Sequence, residues 1–206
     1  MSYIAAMLIE MTNNEEMAFH IFNAILTCSS FGDLFINGFA LMKKYFYVFE
    51  RLLTVYLPEV SGVLKQNNVN PSYYISPWFI TLFSNAYCHL PQGQSGKSLI
   101  YVLDIFVCKG WNGIMRVGLC LMKNYEMKLL TMKFEDLLPF VINELKMLDF
   151  FEDNNFAKFK EIFENTKIDK GIISNIENEY DIQLKIESEK ENEKKIQYEK
   201  ENLTLI

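Results

Sequence analysis

Apolar positions recur at helical spacing along almost the whole of this chain. Ile4, Met7, Leu8 and Met11 fall at i, i+3, i+4 and i+7, a single stripe on one helical face. Thr12-Asn13-Asn14-Glu15 then has the form of a capping box, with the Thr12 hydroxyl serving a first-turn amide and Glu15 answering it. The helix this predicts carries Ala18, Ile21, Phe22 and Ile25 on one side. A longer seam follows, in which Phe35, Phe39, Met42, Phe46, Phe49, Leu53 and Tyr56 alternate steps of four and three over about six turns. Leu41, Tyr45, Val48 and Leu52 add apolar side chains on its other faces, so the pattern predicts a helix enclosed in a bundle.

Pro58 ends that helix or restarts it as a short one to about Gln66, and Asn67 to Ser72 reads as a loop with an Asn-Pro turn signal. Tyr74, Trp78, Phe79, Leu82 and Phe83 make a further apolar face, with Pro77 expected in a first turn. A polar loop from His89 to Lys97 leads to two predicted helices, Ser98 to Cys108 and Asn112 to Asn124, divided at Gly110 and Gly113. A shorter helix with Val141, Leu145 and Leu148 inward is expected after Pro139, then an amphipathic one through Phe156, Phe159, Ile162 and Phe163. From Lys170 the chain turns charged and nearly free of aromatics, the pattern of a solvated helix or disordered tail. No segment alternates strand and helix. The fold class expected is all-α, divided as 1–150, an amphipathic helix over 151–169, and a charged tail over 170–206.

Composition narrows the function. Of 206 residues, 50% are hydrophobic, enough for one core of ordinary size, and the net charge of -6 argues against a nucleic-acid binder. No run of about 18 uncharged apolar residues occurs, so no membrane-spanning helix is expected. The longest apolar stretch, Leu99 to Val107, is interrupted by Asp104. Met1 to Met11 lacks the basic start and cleavage site of a signal peptide. Cys28, Cys88, Cys108 and Cys120 are widely spaced and form no metal-ligand pattern with His20 and His89, so they read as small buried hydrophobes in a reducing compartment. No metal and no cofactor are predicted.

Gly93-Gln94-Ser95-Gly96-Lys97-Ser98 reproduces the end of a phosphate-binding loop. A true P-loop needs a glycine five positions before Gly96 so that backbone amides wrap the phosphates; that position is Pro91, which has no amide hydrogen. The favoured reading is a flexible connection between helices. His20, among Phe19, Ile21 and Phe22, reads as a buried or half-buried histidine rather than a base. Ser29, Ser30 and Ser61 lack histidine–acid company, and Glu15-Glu16 and Glu152-Asp153 fit favourable placement near the start of a helix. No catalytic constellation assembles.

Several segments together resemble the TBC domain of Rab GTPase-activating proteins. Met1-Ser2-Tyr3-Ile4-Ala5-Ala6-Met7-Leu8 resembles that family's Gly-Met-(Ser/Asn)-x-(Ile/Leu)-Ala-(Ala/Gly) run. Glu15-Glu16-x-Ala18-Phe19 is similar to its Glu-Glu-x-Ala-Phe-Trp, with His20 where tryptophan is common. Tyr74-x-x-x-Trp78-Phe79-x-Thr81-x-Phe83 is the most specific match. Leu103-Asp104, with leucine in place of tryptophan, then Gly110-Trp111 and Met115-Arg116-Val117, follow in the family's order. The match runs to about Met122, and more loosely to Leu148. The resemblance implies a GTPase activator, not itself an enzyme, whose partner is a GTP-bound Rab. It implies a cytoplasmic setting, with membrane contact only indirect.

In that family an arginine finger and the glutamine of Tyr-x-Gln carry catalysis, and both lie before the position matched by Met1. The expectation is therefore the later part of such a domain, inactive alone, with no catalytic residue carried over; the alternative is a non-catalytic TBC-like interaction module. Glu16, Phe19, Tyr74, Trp78, Phe79, Asp104 and Gly110 are the positions the resemblance marks as fold determinants.

Overall fold

The structure, a computed structural model, describes residues 1–27, 30–91, 93–144 and 149–203. Among them no β-strand occurs, and the all-α class holds. Cys28, Ser29, Leu145 and Leu148 lie outside the described residues. Two compact units result, Met1–Ile168 and Asp169–Ile206.

In the first unit, α1 (Ser2–Thr12) buries Ile4, Met7 and Leu8 and closes on Asn13, whose left-handed backbone returns its amide to the Ile9 carbonyl. The cap of α2 (Glu15–Thr27) differs from the predicted box. The Asn14 carboxamide oxygen accepts from the Met17 amide at 3.0 Å, while the Thr12 hydroxyl donates back to the Leu8 carbonyl at 2.8 Å. Asn14, adjacent to the helix, reaches the third-position amide, and Thr12 is already committed to the last turn of α1.

The long seam begins later than its periodicity predicts. Asn37, Gly38 and Phe39 are all left-handed, with φ of 50°, 64° and 62°, so α3 spans Ala40–Tyr56 and leaves Phe35 and Phe39 outside it. Three successive residues in that region break any α-helix. Within α3, Met42, Tyr45, Val48, Phe49, Leu52 and Leu53 are buried, on more than one face as expected. Pro58 opens α4 (Pro58–Gln66) at its first position, where a missing amide costs nothing.

Pro77 lies in the interior of α5 (Ser72–Thr81), not in a first turn. It has no amide to offer the Tyr73 carbonyl, and the helix stops one turn later, where left-handed Leu82 and a bond from the Phe83 amide to the Trp78 carbonyl at 2.9 Å close it.

The two helices predicted between 98 and 124 are present, joined without a loop as α6 (Lys97–Asn124) across a kink at Gly110. Gly110 has φ 57° and ψ -146°, a region only glycine occupies readily. By length and composition alone α6 contains a window, of mean hydropathy 1.3, that could cross a bilayer, yet 67% of that window is buried in the protein. That is how the core helix of a packed domain looks. At Gly118 a Cβ would stand 2.6 Å from the Phe49 ring, so the absent side chain lets α3 and α6 approach closely.

Two short helices, α7 (Glu126–Thr131) and α8 (Phe134–Pro139), lead to a single wide turn over Phe140–Glu144 rather than a regular helix after Pro139. The amphipathic helix is α9 (Phe156–Asn165), with Phe159 and Phe163 fully buried. Tyr101 of α6 meets both rings edge-on at 5.9 and 6.1 Å.

The second unit is a single helix, α10 (Lys170–Leu203), started by the Asp169 carboxylate accepting from the Gly171 amide at 2.8 Å. Residues 181–195 are all exposed, including Ile182, Leu184 and Ile186. The many charged residues of this stretch, with only scattered apolar ones among them, fit that exposure.

Candidate functional site

The residues singled out by resemblance divide into two groups. Tyr74, Trp78 and Phe79 are spaced along α5 so that all three turn inward, at 1% exposure or less. Trp78 packs on Phe83, Tyr74 and Phe49 with ring centres 5.5, 5.4 and 6.1 Å apart. Phe79 reaches Trp111 at 5.6 Å, and Trp111 meets Tyr45 at 4.6 Å. Offset and edge-on rings of this kind contribute beyond their buried area. Burial, and secondarily the charge of Glu50, pushes the Tyr74 phenol well above its usual value, so it stays neutral. Gly110 directly precedes Trp111, and its backbone turn carries the chain into this cluster.

Glu16, Phe19 and Asp104 are instead on the surface. Phe19 is 65% exposed. Glu16 stands 4.0 Å from His20, one turn on, and His20 is exposed, contrary to the buried or half-buried place expected for it. Asp104 sits beside a 290 Å³ groove lined by Leu8, Met11, Ile21, Ile25, Leu103 and Val107. The burial expected of the cysteines fails likewise at Cys88 and Cys108, which are exposed. Cys120 is buried, and its thiol is pushed up to about 11, chiefly by that burial.

The glycine-rich loop before α6 holds a carboxylate. Asp153 Oδ2 accepts from the Ser95 amide and hydroxyl, both at 2.7 Å, and Oδ1 accepts from the Lys97 amide at 3.1 Å. The Asp153 amide donates to Gln94 Oε1 at 2.7 Å, completing a reciprocal clasp. Desolvation works to raise the Asp153 carboxyl, but the Ser95 and Lys97 donors and the Lys97 charge together hold it below its usual value. The acid placed by sequence near the start of its own helix thus serves α6, 56 residues earlier. Nothing local in the sequence signals that pairing.

Neither arginine projects as a finger. Arg116 sits over the Phe163 ring, its guanidinium carbon 3.9 Å from the ring centre, donates to the Phe163 carbonyl, and its side chain is 14% exposed. Arg51 lies half-buried in the middle of α3. Among the described residues no cluster of three or more histidine, cysteine or acidic side chains could hold a metal.

Residues 1–130 match the Rab-GTPase-TBC domain. The chain belongs to the TBC domain family. It is 30% identical over 140 residues to the Rab GTPase-activating protein tbc-11 of Caenorhabditis elegans, covering 68% of this chain and 14% of that protein. It is 28% identical over 145 residues to mouse TBC1 domain family member 4, covering 70% and 10%. With the GTPase-activating protein GYP5 of Saccharomyces cerevisiae it shares 26% over 145 residues, covering 70% and 15%. The chain thus spans only 10% to 15% of the length of these three relatives. Within this TBC domain segment, both the α5 cluster and the surface positions Glu16, Phe19 and Asp104 fall inside the matched region, while α9 and Asp153 follow it.

Proposed function

We propose that this TBC domain segment engages a GTP-bound Rab protein as part of a GTPase activator that regulates vesicle traffic, acting from the cytoplasm on membrane-borne Rab. The family match over residues 1–130 carries the reading. The segment regulates an enzyme and supplies scaffold and binding surface rather than the chemistry. Arginine fingers act by placing a free guanidinium on developing phosphoryl charge, an effect of roughly 10³ to 10⁵ in rate. Arg116 is stacked and hydrogen-bonded within the core, and Arg51 is half-buried in α3. Neither of these arginines is therefore placed to act as a finger, and stimulation of hydrolysis by this chain alone is not expected. Tyr74, Trp78, Phe79 and Gly110 act here as fold determinants, and Glu16, Phe19 and Asp104 as surface positions.

The placement of the two arginines equally favours a second reading, a TBC-like module that binds a partner without catalysis. Phosphate release from a panel of GTP-loaded Rab proteins, measured beside direct binding, tests both. Binding by the 206-residue chain without stimulation is the expected result. Stimulation at substoichiometric amounts would overturn the residue assignment, and absence of binding to every Rab would overturn the partner.

A further inference from the structure

Three helices each turn one side into the 290 Å³ groove beside Asp104. From α2 come Ile21, Ala24 and Ile25, at i, i+3 and i+4, and α1 contributes a set with the same spacing. From α6 the lining runs from Ile100 to Val107, again on a single stripe. Leu8, Ile25 and Leu103 are buried and form the floor, while Ile21 and Val107, 37% and 58% exposed, stand at the mouth.

Size limits what the groove takes. On α1 and α2 it spans little more than one turn, so it is a compact hollow rather than a furrow along the pair. An apolar cavity of about 150 Å³ holds one benzene ring. A volume of 290 Å³ therefore suits a body of about two fused rings. A concave, mostly apolar site with very few polar groups is the usual form of a small-molecule pocket.

Charge then selects the ligand. The Thr12 hydroxyl at the edge is already engaged by the Leu8 carbonyl at 2.8 Å. The Asp104 carboxylate is exposed at the mouth, and among the described residues no cation pairs with it. The elements forming the groove, α1, α2 and residues 98–108 of α6, carry Glu10, Glu15, Glu16 and Asp104 and no lysine or arginine. The lysines flanking that stretch of α6 are turned to other work, Lys97 acting on Asp153 and Lys109 lying over the Phe163 ring at 5.0 Å. An anionic ligand would be repelled, and a neutral one would leave Asp104 unused. We infer that this groove binds a small molecule with an apolar body of about two rings and a single ammonium head. The body rests on Leu8, Ile25 and Leu103, and the head meets Asp104. The inference stands on the cavity and its charge and is independent of the Rab reading.

The intact chain can be titrated calorimetrically with 1-naphthylmethylamine, 1-naphthylmethanol and 1-naphthylacetate, which share a ring body and carry positive, no and negative charge. Saturable one-to-one binding of the amine is expected, weaker binding of the alcohol, and weakest of the acetate, at least about fivefold below the amine. Asp104→Asn should weaken the amine by about two- to fivefold and leave the alcohol unchanged. Ala24→Trp fills the groove from an exposed position on α2 and should weaken the amine at least about tenfold. Phe19→Ser, in a separate trough lined also by Ala5 and Phe22, should change nothing. Equal binding of amine and acetate, or amine binding indifferent to Asp104→Asn, would overturn the inference. So would binding that survives Ala24→Trp or disappears with Phe19→Ser, and so would no binding of the amine at all.

Discussion

The helix α5 buries Tyr74, Ile75, Trp78, Phe79 and Thr81 among ten residues, whereas α2 buries two among thirteen. Both are rich in apolar side chains, and both lie inside the family match. What separates them is the company each keeps. Trp78 and Phe79 reach aromatic partners on α3 and α6, and the chain turns back on itself through left-handed Leu82 and Phe83 to seal the cluster. No comparable lid covers Met17 and Phe19. Apolar content therefore says that a surface will be dried, and only the tertiary contacts say whether its own fold dries it.

The comparison is broken most directly at Trp78. Trp78→Ala removes a fully enclosed ring and should cost about 3 to 5 kcal/mol in chemical denaturation; a cost near that of a surface change would erase the contrast. Gly110→Ala tests how the cluster is delivered. An alanine forced to φ 57° and ψ -146° should cost on the order of 1 to 3 kcal/mol, measured in the same way.

Asp153→Asn probes a polar tether outside both helices. The folded carboxyl lies below its ordinary value of 3.8, so its stabilisation is complete above that pH and is lost as pH falls through the lower folded value. Melting curves below about pH 4 should then show a shallower acid loss in the variant than in the parent. An identical slope would remove the carboxylate from the clasp. The smallest effect belongs to α2: Phe19→Ser should leave stability within about 0.5 kcal/mol of the parent. A loss like that at Trp78 would show that α2 is a core element after all.

Much of this architecture is legible in the sequence because it is periodic. The stripes through Ile4 to Leu8, Met42 to Leu53, and Phe159 to Phe163 each become buried faces. The misreadings occur where backbone geometry or distance decides. Asn37 to Phe39 switch to left-handed backbone and shorten α3, although Phe35 and Phe39 keep perfect spacing. Gly110, by contrast, divides α6 where expected, through a kink with no loop between the two halves. His20 keeps apolar neighbours in sequence, yet the exposure of α2 leaves it in solvent. The Asp153 clasp joins residues 58 apart, and spacing carries no trace of it. For the surface positions Glu16, Phe19 and Asp104, resemblance alone gave the residues, and the geometry gave their exposure.

The arrangement of α6 and α9 sets a condition on how this protein is made. The face of α6 that bears Tyr101 and Arg116 is sheltered by Phe159 and Phe163, which are synthesised about forty residues after α6 ends. At about 5 to 20 residues per second, the ribosome leaves that face open for about 2 to 8 seconds. Throughout that interval the nascent chain displays one face of a helix whose apolar window has mean hydropathy 1.3. The order of its elements thus makes the last packed helix of the first unit the one that closes this face.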